Sequence, residues 1–374
     1  MIRLLGIGVV FSVFFLVQRI LYQRFWLQHL TAQVRFVQDH IIEGEQGELN
    51  EILVNKKILP LPMLKVKFRT DRHLIFQDIR GSRTTDQFYR NDIFRVGGGE
   101  KVTRTLSFTG GRRGYYTIDG VSLVSSDLFL TAQLTAEQPL QTSIYVYPRP
   151  YDSSELQKTF TWLNGEILAR RHLLEDPFEY RGIREYQPYD QMRSINWKAS
   201  AKTGGLMVNQ KNFTALKSVR IFLNIQDDNV LKKEESVEMS LRIAAGLCAA
   251  FLSQGIQVSC RGNGMDLFTN KPLSVAARAG EGQLDAVCRA LARIDLKKPV
   301  ADFVKTFEED LFSGAQDTLT CFVSPNQYDD FTGLLEKYQE AGNTFVWIYP
   351  VQGSKDPVLP PSLADRIRLI HFQV

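Results

Sequence analysis

The sequence predicts an apolar N-terminal anchor, an antiparallel β-sandwich and then a doubly wound α/β domain, so that all-β and α/β architecture share one chain. Three observations carry this. An uncharged apolar run opens the chain, apolar and polar residues alternate with period two from residue 31 to 150, and beyond residue 218 short apolar strands alternate with helical stretches. The boundaries read 1–30 for the anchor, 31–150 for the sandwich, 151–217 for a junction and 218–374 for the α/β domain. A chain of 374 residues, 44% of them hydrophobic, has the material for sizeable cores. Its formal net charge of +4, with no clustered basic footprint over a whole domain, gives no ground for a nucleic-acid partner. Cys248, Cys260, Cys288 and Cys321 are too widely and irregularly spaced for a disulfide scaffold or a zinc site and read as buried free thiols of a reducing compartment.

The anchor runs from about Leu4 to Tyr22, Arg19 lying near enough to one end to snorkel, with Tyr22, Phe25 and Trp26 supplying an interfacial aromatic belt. No small-x-small cleavage site follows it, so the expectation is an uncleaved span rather than a signal peptide. Arg19, Arg24 and Arg35 on the distal side outweigh Arg3, which predicts a single-pass protein of the inner, cytoplasmic membrane whose soluble domains face the cytoplasm.

Period-two segments follow at residues 31–37, 49–55, 63–68, 101–108, 115–118, 121–124 and 143–147, with turns at Gly44 to Gly47, Pro60 to Pro62, Gly97 to Gly99 and Gly110-Gly111. About seven short strands at this spacing predict a sandwich. Gly97-Gly-Gly-Glu-Lys101 lacks the spacing and Lys-Ser/Thr ending of a phosphate loop, and reads as a hairpin turn. In the last third, strands at 219–225, 256–260, 319–323, 344–348 and 367–372 alternate with helices at 234–254, 283–294 and 328–341.

Between the halves, the junction mixes Arg, Glu, Asp and Lys with Tyr and Trp in no simple period. Residues 170–217 hold nine Lys/Arg against five Asp/Glu. Its focus is Arg184, Glu185, Tyr186, Asp190, Arg193, Ile195, Trp197 and Lys198. An extended strand would put Arg193, Ile195 and Trp197 on one buried face, with Asp190 or Glu185 as the guanidinium's partner. Glu185, Asp190 and Lys198 form the acid-base set of an alternative, hydrolase-like reading, against which the neighbouring arginines argue for salt bridges. The histidines are scattered, and neither a His-Glu-x-x-His nor a Gly-x-Ser-x-Gly pattern occurs, so no catalytic residue is assigned.

This order of anchor, sandwich, Arg184-Glu-Tyr block with Asp190, Arg193, Trp197 and Lys198, and α/β half resembles the bacterial domain-of-unknown-function family 58. Arg112-Arg-Gly-Tyr115, Ser126-Asp127 and Val146-Tyr-Pro-Arg149 extend the resemblance over nearly the whole chain. Two departures are Tyr189, where the family has a glycine before the aspartate, and one apolar N-terminal segment where it has a pair. The resemblance implies an α/β half akin to a degenerate von Willebrand factor type A domain. The positions matching that domain's metal motif are Asn224, Gln226 and Asp228, followed later by Ser324-Pro-Asn-Gln without a carboxylate, so no metal or other cofactor is expected. It also implies a membrane-tethered, non-catalytic interaction or scaffold protein acting with a MoxR-type AAA+ ATPase and with other von Willebrand type proteins. A cation-dependent ligand-binding module is a further alternative.

Overall fold

A computed structural model describes residues 2–77, 83–84, 87–173, 175–188, 190–213, 218–227, 234–313, 318–354 and 356–373. The chain divides into two compact units, Met1–Arg149 and Pro150–Val374.

The first unit opens with helix α1 (Ile2–Phe25), most of whose described side chains are exposed. One stripe differs. Gln18, Tyr22 and Trp26, at helical spacing, are buried within the same unit, and the Tyr22 hydroxyl donates to the carbonyl of Pro60 over 2.8 Å, so Tyr22 and Trp26 belong to the sandwich core and not to the expected interfacial belt. The strands are β1 (Leu30–Phe36), β2 (His40–Ile42), β3 (Gln46–Asn55), β4 (Leu61–Asp71), β5 (Leu74–Phe76), β6 (Arg83–Thr84), β7 (Gln87–Val96), β8 (Lys101–Gly110), β9 (Gly114–Ser126) and β10 (Gln133–Tyr147). They form a sheet ordered β1-β3-β8-β5 and another ordered β2-β10-β9-β4-β7-β6, antiparallel except where β2 joins β10. Inward residues alternate with outward ones along β1 and β3, and Val34, Leu49, Leu53, Val66, Phe108, Ile118 and Ile144 close the core.

Three expectations for this half change. β9 is one strand where two were expected, since Gly120 pairs with Pro139 and lets β9 run through. β7 was not anticipated, because its inward positions include the buried Arg90 and Asp92 and so break the apolar alternation that betrays a strand. The glycine run after β7 makes no hairpin: β7 and β8 belong to different sheets, and the run carries the chain between them. Gly98 there passes so close to the Ile58 carbonyl that a Cβ would lie 2.2 Å from its oxygen.

The second unit contains α2 (Ser154–Leu173), β11 (Glu175–Glu185), α3 (Trp197–Thr203), β12 (Met207–Phe213), β13 (Ser218–Leu223), α4 (Glu234–Ser253), β14 (Gln257–Met265), β15 (Pro272–Arg278), α5 (Glu281–Ala292), α6 (Phe303–Phe312), β16 (Thr318–Val323), α7 (Asp329–Glu340), β17 (Phe345–Gln352) and β18 (Ile367–Phe372). Six strands make one sheet, ordered β15-β14-β13-β16-β17-β18 and parallel except for edge strand β15. Helices cover both faces. Phe222, Phe322, Phe345 and Trp347 meet Phe303 and Phe307 of α6 and Phe331 and Leu335 of α7, whereas α4 lies across the other face with Leu241, Ala244 and Cys248 buried. Two described helices are long and apolar enough to cross a membrane, α1 and α4, but α4 is mostly buried and serves as a core helix of this sheet. The four cysteines are free and buried. Sequence reading missed α2, α6 and β15 and left residues 151–217 without elements, whereas β11 and β12 pair there as an antiparallel hairpin.

Candidate functional site

The junction focus sits on that hairpin and is built by short-range hydrogen bonds. Arg184, near the end of β11, reaches the Asp190 carboxylate with both terminal nitrogens, each at 2.7 Å, and the amide of Gln187 donates to the same carboxylate over 2.8 Å. The bidentate guanidinium, with that amide, holds the Asp190 carboxyl below the usual carboxylate range. An aspartate kept ionised and triply hydrogen-bonded is a brace, with little capacity left to shuttle protons. Beyond it a single 3-10 turn (Met192–Ser194) leads to Ile195, which bridges to Val208 of β12 and is buried.

Asn196 then caps α3. Its side chain accepts from the amide of Ala199 at 3.0 Å and donates to Asn209 at 2.7 Å, while Ser200 ties the helix back to the amide of Met207 at 2.8 Å. Gly204, with φ of 72°, ends the helix in the left-handed conformation.

The consequence concerns Trp197 and Arg193. The chain here turns into a helix, so the expected strand face does not exist. Trp197 is the first residue of α3 and is 65% exposed, and Arg193 is exposed with its Nε on Gln191 at 2.6 Å, not on Asp190 or Glu185. Lys198 and Glu185 are exposed as well, and Tyr186 is half-buried with its amide on the Leu206 carbonyl. Exposed Ile183, Met192 and Leu206 add apolar surface to the same hairpin segment. Tyr189 lies outside the described residues.

The other candidate lies at the carboxyl ends of the parallel strands, where β13 has β14 on one side and β16 on the other. In doubly wound sheets ligands favour this switch point. Asn224 is buried there. Its Oδ1 accepts from the Gln226 amide at 3.1 Å and from Asn263 Nδ2 at 2.8 Å, which leaves its own Nδ2 without a partner among the described residues. Across the crevice, Ser324 Oγ accepts from the amide of Asn326 and Asn326 Oδ1 from that of Tyr328. The Asn224 oxygen is thus already used and its spare group is a donor, and no cluster of three ionisable metal ligands occurs among the described residues. Asp228 lies outside the described residues. The cavity lined by Gln226, Asp227, Asn326, Tyr328 and Tyr349 is about 50 Å³, far below the several hundred typical of small-molecule sites. A larger groove of about 560 Å³ between α2 and α4 is lined mainly by Leu156, Phe160, Leu247 and Ala250, with Asp152 its one carboxylate.

A third polar cluster escaped sequence reading. Within the sandwich, Asp92 pairs with Arg90 through its Oδ2 and Oδ1, and with Arg104 over 3.0 Å, while Glu51, opposite Arg104 in the β3–β8 register, is wholly buried. Burial, then the charge of Asp92, push the Glu51 carboxyl up to about 8 against the pull of Arg90 and Arg104. Only pairing of two sheets brings β3, β7 and β8 together, so no sequence spacing announces this group.

No family model and no curated protein matches the chain. Among solved structures, it is similar to the CARDB domain of PF1109 from Pyrococcus furiosus, crystallised with di-metal ions, at 15% identity over 32% of this chain and 90% of that one, with a TM-score of 0.22. A non-cellulosomal cohesin from Archaeoglobus fulgidus matches at 9% identity over 34% of this chain and 97% of its own, TM-score 0.21. The sporulation control protein Spo0M from Bacillus subtilis matches at 11% identity over 43% and 59%, TM-score 0.18. Scores this low carry no functional argument.

Proposed function

We propose that this chain is a membrane-tethered, non-catalytic docking protein, anchored through α1 with its soluble units in the cytoplasm and recognising a protein partner through the β11–β12 hairpin. The observation that carries the reading is the exposure of Trp197 on a segment braced at both ends, by the Arg184–Asp190 pair and by the Asn196 cap. A large aromatic left in water while its backbone is rigidly held supports a binding anchor, because exposing it costs apolar burial and fixing it beforehand lowers the entropy lost on association. Exposed Arg193, Lys198 and Lys202 around it favour an acidic partner surface. The doubly wound sheet and the polar loops at its switch point support the resemblance to a degenerate von Willebrand type A half. That resemblance makes a MoxR-type AAA+ ATPase the partner to test first.

The test uses the detergent-solubilised full chain, a purified MoxR-type ATPase from the same genome, and the variants Trp197→Ala and Arg193→Ala. Affinity is expected to fall by on the order of tenfold or more for Trp197→Ala, as for interface anchors, with melting unchanged. An unchanged affinity in both variants, or no capture by the parent chain, rejects the reading.

A further inference from the structure

The loop after β9 has a composition that water does not favour. Leu128, Phe129 and Leu130 are consecutive and all exposed, and Leu130, 60% exposed, is held at a φ of 60°, a conformation that non-glycine residues seldom adopt. The Phe129 ring lies against α1, its centroid 5.9 Å from that of Phe11, 6.2 Å from Phe14 and 5.7 Å from Phe15.

The loop is fastened to the helix by one reciprocal contact. Gln18 donates from Nε2 to the buried Asp127 carboxylate at 3.0 Å and accepts the Leu128 amide on Oε1 at 3.3 Å. Asp127 does the rest: its carboxylate accepts the amides of Thr131 and Ala132 and the Thr131 hydroxyl, and its carbonyl accepts the amide of Leu130. Amides at 128, 130, 131 and 132 are therefore satisfied without water, which lowers the cost of taking this irregular backbone out of it. The level follows from helix geometry. Phe11 to Phe15 stand three to seven residues before Gln18, hence about 5–10 Å further along the axis in the direction away from Arg19.

Resting on the reading that α1 crosses the bilayer, we infer that the tip Leu128-Phe129-Leu130 inserts into the lipid beside α1 as a second membrane contact. The occupant of this patch is lipid because the patch is continuous with the exposed apolar surface of α1 and shares its aromatic contacts. Gln18 and Asp127 fix the depth of insertion.

The test is nitroxide depth measurement on the full chain in phosphatidylglycerol/phosphatidylcholine vesicles. Single labels go on Leu130→Cys and, because the left-handed position tolerates few changes, also on Leu128→Cys. Val13→Cys on exposed α1 reports the anchor, and Ile75→Cys, exposed on β5 at the opposite end of the sandwich, reports water. The native thiols are buried, with those of Cys288 and Cys321 pushed up to about 12 by burial, so an unsubstituted parent sets the background. Labels at 128 and 130 are expected to resemble the one at 13, with oxygen collisions several-fold above those with a water-soluble nickel chelate. If they resemble the label at 75 while 13 stays in lipid, the inference fails and the anchor stands. Labels at 128 and 130 shielded from both reagents would mean a protein contact, a second copy included, and also overturn it. Should 13 itself report water, the anchoring reading falls and takes the inference with it.

Discussion

At the scale of single residues, Ile195 and Trp197 stand two positions apart and have opposite fates. Ile195 is 6% exposed, so Ile195→Ala is expected to cost about 2–5 kcal/mol, read as a lowered denaturation midpoint. Trp197→Ala, by contrast, is expected to change stability by no more than about 0.5 kcal/mol, as at other exposed positions. Equal losses in the two variants would contradict the exposure of the tryptophan. The reason the sequence misled here is specific: Asn196 turns an apparent period-two pattern into a helix start, because its side chain captures the Ala199 amide. Glu51 gives a residue-scale prediction in pH. Its carboxyl titrates at about 4.5 in an unfolded chain and at about 8 in the fold. Between those values the folded state holds a proton that the unfolded state releases, so stability falls as pH rises through this window and levels off above it. Glu51→Gln, which cannot ionise, should lose that slope and melt above the parent at pH 8.5. Parallel melting curves from pH 5 to 8.5 would refute this.

Among elements, α3 is a helix of seven residues that propensity alone would not hold, and its cap and its tie to β12 supply the difference. Asn196→Ala should cost about 0.5–2 kcal/mol in overall stability, the usual range for a lost N-cap. Its sharper signature is faster amide exchange at Ala199 to Lys202 with the rest of the sheet unchanged. Uniform exchange across the unit would show that α3 has no separate stability. Elements with strong patterns were legible before the structure: β13, β16, β17, β18 and helices α4, α5 and α7 carry continuous apolar runs or a clear helical face. Those that escaped have a reason to. α2 has barely any amphipathic contrast, β15 exposes most of its residues as an edge strand, and β7 turns an arginine and an aspartate inward.

For the whole molecule, the switch-point chemistry predicts indifference to divalent metal. Millimolar magnesium or calcium should leave the melting temperature unshifted, since a ligand that binds the folded state raises it. A rise of several degrees, reversed by a chelator, would contradict the donor set at Asn224 and Asn263. Sequence by itself determined the order of architectures: the apolar N-terminal helix, the period-two half and the strand-helix alternation are local patterns, and local patterns survive in a one-dimensional reading. It also located the segment 184–198 as exceptional. Only the tertiary structure decided which side chains face water. Trp197 stays exposed because a cap and a cross-strand bridge redirect the chain; Glu51 meets Asp92 because two sheets stack; and Leu128 to Leu130 lie along α1 because Gln18 meets Asp127, 109 residues away. Such contacts join residues distant in sequence, and no spacing along the chain encodes the partner on the other side.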